Sequence, residues 1–222
     1  MNVIRRRKKV KLTIDGQEIT APAGASVLEA ALANDIYIPH LCHHPALPAA
    51  GACRMCLVEV GEGQMVMSCR TPVAAGMVIR TKSPGIDRLV RPVIEMLIAD
   101  HHESCRGCPS SGHCELQRVM AHLRIDRRRV RRLKLPDKQL PLDTSSPCFD
   151  YDPNRCVLCG ICVQTCAQRQ GESMLHFVER GYGTKIAYFG DETQCSDCGK
   201  ECMARCPVGV LLPKSAPPPE EA

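Results

Sequence analysis

Two cysteine runs near the carboxyl end of the chain have the spacing of metal-cluster ligands. The first run, CVLCGICVQTC, reads C-x2-C-x2-C-x3-C, and the second, CSDCGKECMARCP, follows about 40 residues later as an internal repeat. In this spacing a short chain wraps one [4Fe–4S] cluster with three thiolates and sends the fourth to a neighbouring cluster. The repeat therefore predicts two [4Fe–4S] clusters with crossed ligation. The expected ligand sets are Cys156, Cys159, Cys162 and Cys206 for one cluster, and Cys195, Cys198, Cys202 and Cys166 for the other.

The repeat departs from the standard spacing at two places. The second copy has three residues, Gly199, Lys200 and Glu201, where the standard run has two, and Ala167 stands where that run has proline. A loop absorbs a one-residue bulge easily, but the assignment of the thiols on either side depends on it. Zinc held by the same thiolates is the alternative.

A second group of thiols lies earlier in the chain, in LCHHPALPAAGACRMCLVEVGEGQMVMSC. Its spacing is C-x10-C-x2-C-x12-C. A long loop that delivers three thiolates, with a fourth from a following strand, is how plant-type ferredoxins hold a [2Fe–2S] cluster, although their first gap is shorter. Gly51 and Ala52 suit this, since small residues let backbone N–H groups approach cluster sulfurs. A four-cysteine zinc site is the alternative, but the paired C-x2-4-C knuckles typical of zinc are missing. The expected [2Fe–2S] ligands are Cys42, Cys53, Cys56 and Cys69.

A third group, in HHESCRGCPSSGHCELQ, combines a histidine with only three thiols. This H-x3-C-x2-C-x5-C pattern resembles the [4Fe–4S] site that follows the β-grasp module in the large iron–sulfur subunit of respiratory complex I. The resemblance implies the ligand set His101, Cys105, Cys108 and Cys114. A neutral imidazole in place of a thiolate removes one negative charge and should raise the cluster potential. His102 is the rival ligand, but only His101 keeps three residues before the first thiol, and a zinc site with the same ligands stays open.

The order of the four sites resembles a known family over roughly residues 8–210. It is similar to the amino-terminal part of that complex I subunit, and more similar to the short diaphorase iron–sulfur subunit of NAD-linked bidirectional [NiFe] hydrogenases. Related subunits occur in electron-bifurcating hydrogenases and NAD-dependent formate dehydrogenases. The resemblance implies a partner subunit that carries FMN and an NAD(P) site. It also implies a second redox partner, such as a hydrogenase small subunit or a formate dehydrogenase.

Periodic patterns indicate the elements that must position these ligands. KVKLTID and QEITAPA alternate as two strands around the Asp15-Gly16 turn, and Ser26 caps the helix SVLEAALAND. With the later strands LVEV and MVMSC, this opening predicts a β-grasp sheet. The stretch from Ser83 to Leu123 is expected to be helical, with Pro92 either kinking the first helix or starting a new one.

The expected fold class is α+β, in three modules. The first is a β-grasp [2Fe–2S] ferredoxin domain over 1–82, and the second is a small helical [4Fe–4S] domain with one histidine and three cysteine ligands over 83–125. A linker over 126–147 precedes a bacterial-type two-[4Fe–4S] ferredoxin domain over 148–212. A disordered tail is expected over 213–222.

Composition favours metal sites over disulfides. With 16 cysteines, 3% aromatic residues and no tryptophan in 222 residues, something other than side-chain packing must hold part of the chain together. The amino-terminal basic run lacks the apolar segment of an export signal, so a cytoplasmic location is expected, where C-x-x-C spacings indicate metal binding. The apolar run VIEMLIA is interrupted by Glu95 and is too short to cross a bilayer. Cys148, the remaining thiol, is expected to be a small buried residue.

Other features argue against catalysis or nucleic-acid binding by the chain itself. GEGQMV and GYGTKI lack the third glycine of a dinucleotide fingerprint, and no nucleophile–base pair is readable. The basic runs RRRKK and DRRRVRRLK, with net charge +5, are accompanied by too few aromatic residues to stack on bases. We therefore expect a subunit that relays electrons through one [2Fe–2S] and three [4Fe–4S] clusters and has no substrate-converting site. The alternative is a zinc-binding structural or nucleic-acid-binding protein.

Overall fold

The computed structural model describes residues 8–102, 105–191, 195 and 201–214. The chain forms two compact units. Unit one comprises Met1–Met96 and Val119–Ile125, and unit two comprises Leu97–Arg118 and Asp126–Ala222. The predicted module 83–125 is thus divided between the two units, and the three-module boundaries stay a prediction.

Unit one is built on a five-stranded mixed sheet. Its strands are β1 (Lys9–Ile14), β2 (Gln17–Pro22), β3 (Leu57–Val60), β4 (Gln64–Met67) and β5 (Val78–Arg80). The strand order is β2-β1-β5-β3-β4, with β1 and β5 parallel and the other neighbours antiparallel. The predicted β1–β2 hairpin is confirmed, and both residues of its turn, Asp15 and Gly16, have positive φ angles of 49° and 82°. Positive φ at both positions matches the twist of the flanking strands.

Helix α1 (Val27–Leu32) begins where the sequence predicts it. The Ser26 hydroxyl accepts a hydrogen bond from the Glu29 N–H at 3.2 Å, and the Glu29 carboxylate accepts one from the Ser26 N–H at 2.8 Å. This capping box satisfies two backbone donors at the start of the helix. The helix buries one face in an apolar core with the sheet, and Cys56 and Cys69 belong to that core. Two thiols of the first group are therefore anchored in the apolar core of unit one.

Two longer helices follow, as the sequence predicts. Helix α2 is Pro84–Asp100 and helix α3 is Glu115–His122. Helix α2 neither ends nor restarts at Pro92, which lies inside it. Within the described residues, no helix is both long enough and apolar enough to cross a membrane.

Unit two consists of short elements. They are α4 (Arg127–Leu133), β6 (Phe149–Tyr151), α5 (Ile161–Gln170), β7 (Leu175–Val178), β8 (Lys185–Tyr188), α6 (Glu201–Ala204) and β9 (Leu211–Pro213), with single 3-10 turns at Pro153–Arg155 and Gly181–Gly183. Strand β6 pairs antiparallel with β9, and β7 with β8. Helix α4 lies inside the predicted linker 126–147. The Asp126 carboxylate caps it at 2.8 Å from the Arg128 N–H, and Val130 is fully buried.

Candidate metal centres

The first group of thiols lies together in unit one. Cys42, Cys56 and Cys69 are buried and Cys53 is half-buried. The thiols lie in two close pairs, Cys42 with Cys53 and Cys56 with Cys69. Cys56 is the largest cause of the raised pKa of Cys69, followed by burial and by the charges of the other thiols. The structure thus brings together all four residues that the sequence assigns to the [2Fe–2S] site.

The loop that carries Cys53 surrounds the Cys42 sulfur with donors. The Cys53 N–H donates to this sulfur at 3.3 Å, and the Ala52 N–H is a further donor. Hydrogen bonding, first from the Cys53 thiol and then from these backbone groups, lowers the pKa of Cys42 to about 5 despite its burial. Gly51 has φ +66°, and a methyl group there would lie 2.8 Å from Arg70 Cδ, so the tight turn needs glycine. The predicted role of these small residues in exposing N–H groups to sulfur agrees with this geometry.

The Cys156 run and Cys206 share one cavity in unit two. Its wall is made of the four thiols and apolar side chains from β6, β8 and β9; the lining thiols are Cys156, Cys159, Cys162 and Cys206. The Leu158 N–H donates to the Cys156 sulfur at 3.4 Å. Burial, the largest cause, raises the pKa of both Cys156 and Cys162. The crossed assignment therefore corresponds to one shared space, in which Cys206 comes from the second run.

A second cavity in unit two receives the fourth thiol of the first run. Cys166, Cys195 and Cys202 line it together with Phe149 and Thr165. The Met174 N–H donates to the Cys166 sulfur at 3.2 Å. Cys198, the remaining expected ligand, lies outside the described residues.

The thiols of the histidine-containing group are also close together. Burial, the largest cause, raises the pKa of Cys114, and the charges of Cys108 and Cys105 raise it further. The loop that holds these thiols packs on the segment after Cys206, since the Glu115 N–H donates to the Pro207 carbonyl at 2.8 Å. Among the described residues, His101 Nδ1 has no hydrogen bond to these thiols, so the ligand role of His101 stays a prediction.

The two neighbouring histidines differ in their surroundings. His101 Nδ1 is buried and has no hydrogen-bond partner among the described residues. Burial, followed by the charge of Lys134, lowers the pKa of His101 to about 4, so the ring is neutral at pH 7 and able to bind a metal. His102 Nδ1 instead lies 3.8 Å from an Asp137 carboxylate oxygen. These contacts favour His101 over His102 as the ligand.

The donor set fits iron–sulfur clusters better than single metal ions. None of the described cysteines forms a disulfide, and no three described His, Cys, Asp or Glu side chains converge on a point where one ion could sit. Zinc would need four sulfurs about 2.3 Å from one centre. The thiols of unit two instead line the walls of two cavities. The Thr165 hydroxyl, which lines the second cavity, is buried without a hydrogen-bond partner among the described residues.

Sequence reasoning missed the side-chain hydroxyl groups that approach these sulfurs. Tyr151 lines the same cavity as Cys156, and Ser146 Oγ lies 4.0 Å from the Cys195 sulfur. Neither residue belongs to a cysteine motif, so nothing in the spacing pointed to them. Cys148 is buried, as predicted, with 5% of its surface exposed, and its N–H donates to Ser146 Oγ.

Three family profiles match the chain in succession. The profile of a 2Fe-2S iron-sulfur cluster binding domain matches residues 7–84. The profile of the NADH-ubiquinone oxidoreductase-G iron-sulfur binding region matches residues 91–129, and that of a 4Fe-4S dicluster domain matches residues 155–210. Together they cover all the cysteine groups.

Similar proteins include curated relatives and one solved structure. The NADPH-Fe(3+) oxidoreductase subunit alpha of Geobacter sulfurreducens is 34% identical over 92% of this chain, and the mitochondrial NADH-ubiquinone oxidoreductase 78 kDa subunit of Neurospora crassa is 33% identical over 95%. The chain spans only 24% of the length of the first relative and 28% of the second. A chain in the crystal structure of an NAD+-reducing [NiFe]-hydrogenase in the H2-reduced state is 34% identical, with a TM-score of 0.78. That similarity covers 93% of this chain and 88% of the hydrogenase chain.

Proposed function

Because the chain belongs to the iron–sulfur protein family that includes this hydrogenase chain and the matching region of the 78 kDa NADH-ubiquinone oxidoreductase protein, we propose that it is an electron-transfer subunit. It would relay electrons between a partner that binds flavin and NAD(P) and a second redox partner. The chain's own residues would hold the carriers, and substrate conversion would take place in the partners.

The carriers would be one [2Fe–2S] and three [4Fe–4S] clusters. Cys42, Cys53, Cys56 and Cys69 would hold the [2Fe–2S] cluster on a β-grasp frame. His101, Cys105, Cys108 and Cys114 would hold the first [4Fe–4S] cluster. Cys156, Cys159, Cys162 and Cys206 would hold another, and Cys195, Cys198, Cys202 and Cys166 the last. When bound, such clusters accept and release single electrons at potentials that the protein tunes.

One observation carries this proposal. Cys206 lines a cavity with the first three thiols of the other run, and Cys166 lines a cavity with Cys195 and Cys202. This exchange of a thiol between two runs is what the C-x2-C-x2-C-x3-C spacing requires for paired clusters, and a structural zinc site has no need of it.

The surrounding residues support a redox role. Backbone N–H groups donate to the sulfurs of Cys42, Cys156 and Cys166, which stabilises negative charge on these ligands. Apolar side chains line most of both cavities in unit two and would keep water from the clusters. The low pKa of His101 keeps its ring neutral, as a metal ligand must be.

The partners follow from the family rather than from a site in the chain. We propose a flavin subunit that binds FMN and NAD(P), in line with the NAD- and NADP-linked names of the relatives. The second partner would be a hydrogenase small subunit, with a formate dehydrogenase or an electron-bifurcating enzyme as the other choices. The location would be cytoplasmic.

Metal analysis is the first test. Anaerobically purified chain should contain about 14 iron atoms and equal acid-labile sulfide, the sum for one [2Fe–2S] and three [4Fe–4S] clusters. EPR of the dithionite-reduced chain should show one [2Fe–2S] signal beside several [4Fe–4S] signals. Two to four zinc ions with little iron, even after anaerobic reconstitution, would instead establish the zinc-binding alternative.

Electron relay needs a separate test in the assembled complex. Cys53→Ser should abolish transfer from the flavin partner to the second partner if the [2Fe–2S] site receives the electrons first. Cys148→Ser is the matched control, because Cys148 is buried and lies outside every proposed ligand set. Full transfer by an assembled Cys53→Ser complex would refute this order.

A further inference from the structure

Thr165 is a buried residue whose hydroxyl is left without a hydrogen bond. It lies within helix α5 and is 1% exposed, and its Oγ1 has no partner among the described residues. Buried polar groups in proteins are usually paired, because a hydroxyl that leaves water gives up its hydrogen bonds and needs others in their place. The Thr165 hydroxyl therefore needs a partner that the described residues do not supply.

The local backbone acceptors are not used by this hydroxyl. A threonine hydroxyl in a helix commonly donates to the carbonyl three or four residues earlier in the chain. Thr71 and Thr184 form such bonds elsewhere in the chain, at 2.9 Å to the carbonyl four residues earlier and at 2.8 Å to the carbonyl three residues earlier. Thr165 forms neither bond. Its hydrogen is therefore available for a group outside the helix.

The cavity beside Thr165 is the one lined by three of the proposed cluster ligands, Cys166, Cys195 and Cys202. Other polar side chains in its wall already have partners in the chain. The Tyr188 hydroxyl donates to the Asp191 carbonyl at 2.6 Å, and Arg169 forms an ion pair with Glu201. Thr165 thus brings to this cavity a hydroxyl that no described group of the chain binds.

We propose that the Thr165 hydroxyl donates a hydrogen bond to a sulfur of the cluster held by Cys166, Cys195, Cys198 and Cys202, and thereby raises the reduction potential of that cluster. Reduction adds negative charge that is shared by the cluster sulfurs, so a donor stabilises the reduced form more than the oxidised form. The inference rests on the proposed function, because it needs a cluster at this site.

The test is an EPR-monitored redox titration of the full chain purified anaerobically. The relevant signal is the one whose shape changes in Cys166→Ser. Thr165→Val removes the hydroxyl and keeps the branched shape, so the ratio of reduced to oxidised cluster at a fixed potential should fall about tenfold, which is 59 mV for one electron. Thr165→Ser keeps the hydroxyl and should keep the potential of the unmodified chain. An equal fall in both variants would assign the effect to lost packing and refute the hydrogen bond.

Thr184→Val is the matched control, because it makes the same chemical change at a threonine whose hydroxyl is bound to the Gly181 carbonyl. Its potential should equal that of the unmodified chain. Electron–nuclear double resonance before and after transfer to D2O gives a second readout. The unmodified chain and Thr165→Ser should show one exchangeable proton coupled to this cluster that Thr165→Val lacks, and the same set of couplings in all three would overturn the inference.

The outcomes separate the two proposals. An unmodified chain without iron and sulfide refutes the proposed function. An iron-loaded Thr165→Val chain with an unchanged potential refutes only the role of Thr165. If Thr165→Val fails to retain iron, Thr165→Ala takes its place, since it also lacks the donor: a lowered potential is expected, and an unchanged or higher one refutes the inference.

Discussion

In unit two, Gly209 lies close against Ser110 of the histidine-containing cysteine loop. Replacement of Gly209 by alanine therefore tests how this loop packs on the segment after Cys206. Gly209 follows Cys206 by three residues and has φ +58°. A methyl group there would overlap the Ser110 hydroxyl and lie 3.1 Å from Ser110 Cβ. Ser110 stands between Cys108 and Cys114, within the loop of the histidine-containing group. The two proposed cluster loops are therefore in close contact at Gly209 and Ser110.

The expected cost of Gly209→Ala has two parts. Alanine in the left-handed region costs about 1–2 kcal/mol. Turning the Ser110 hydroxyl away from a preferred rotamer costs a further ~1 kcal/mol. The sum is about 2–3 kcal/mol. In a Ser110→Gly background only the backbone part should remain, so the two substitutions should be coupled by roughly 1 kcal/mol.

The assay is thermal unfolding of the iron-loaded chain at one fixed scan rate. For a chain of this size each kcal/mol shifts the midpoint by roughly 2–4 °C. Gly181→Ala is the matched control, since Gly181 has φ +60° and nothing lies within 4 Å of an added methyl group. Gly181→Ala should lower the free energy of unfolding only by the backbone cost of about 1–2 kcal/mol. This loss should be the same whether serine or glycine occupies position 110. An equal loss from Gly209→Ala in both backgrounds would refute the packing of Gly209 on Ser110.

Further substitutions test the ligand assignments. Cys166→Ser should change the EPR signal of the cluster shared with Cys195, and not the signal that changes in Cys206→Ser; one common signal would contradict crossed ligation. His101→Ala should alter one [4Fe–4S] signal while His102→Ala leaves all signals intact, and the reverse result would transfer the ligand role to His102. Cys148→Ala should leave iron per chain unchanged, so a loss of iron would make it a ligand. Iron removal by a chelator should expose unit two to limited proteolysis before unit one, and cleavage of unit one first would oppose this.

The first hairpin and the first helix of unit one could be predicted from short-range sequence signals. The Asp15-Gly16 turn fixes the register of β1 and β2, and Ser26 with Glu29 fixes the start of α1, so a few neighbouring residues determine each element. Helix α4 was not predicted within the proposed linker 126–147, where Asp126 caps it and Val130 is buried in a segment with little apolar periodicity. A single buried valine gives no recognisable pattern in the sequence.

The site was predictable as far as cysteine spacing determines it. Spacing assigned Cys206 to the first cavity of unit two and Cys166 to the second, because each run is too short to supply four ligands to one cluster. It gave no sign of Tyr151. That hydroxyl is placed by the pairing of β6 with β9 and directed by an N–H of β8, so it depends on residues far apart in the sequence.

The cluster sites and the core of unit two share the same residues. Its described strands have only three or four residues and pair in twos, which gives little stability without further packing. The apolar side chains that would pack on them, including Phe149, Tyr151 and Ile186, line the same cavities as the thiols. Binding of a cluster would fill the space that aromatic side chains fill in other proteins, in a chain with 3% aromatic residues. Folding and cluster binding in unit two should therefore be one coupled equilibrium, whereas the sheet core of unit one depends on it less.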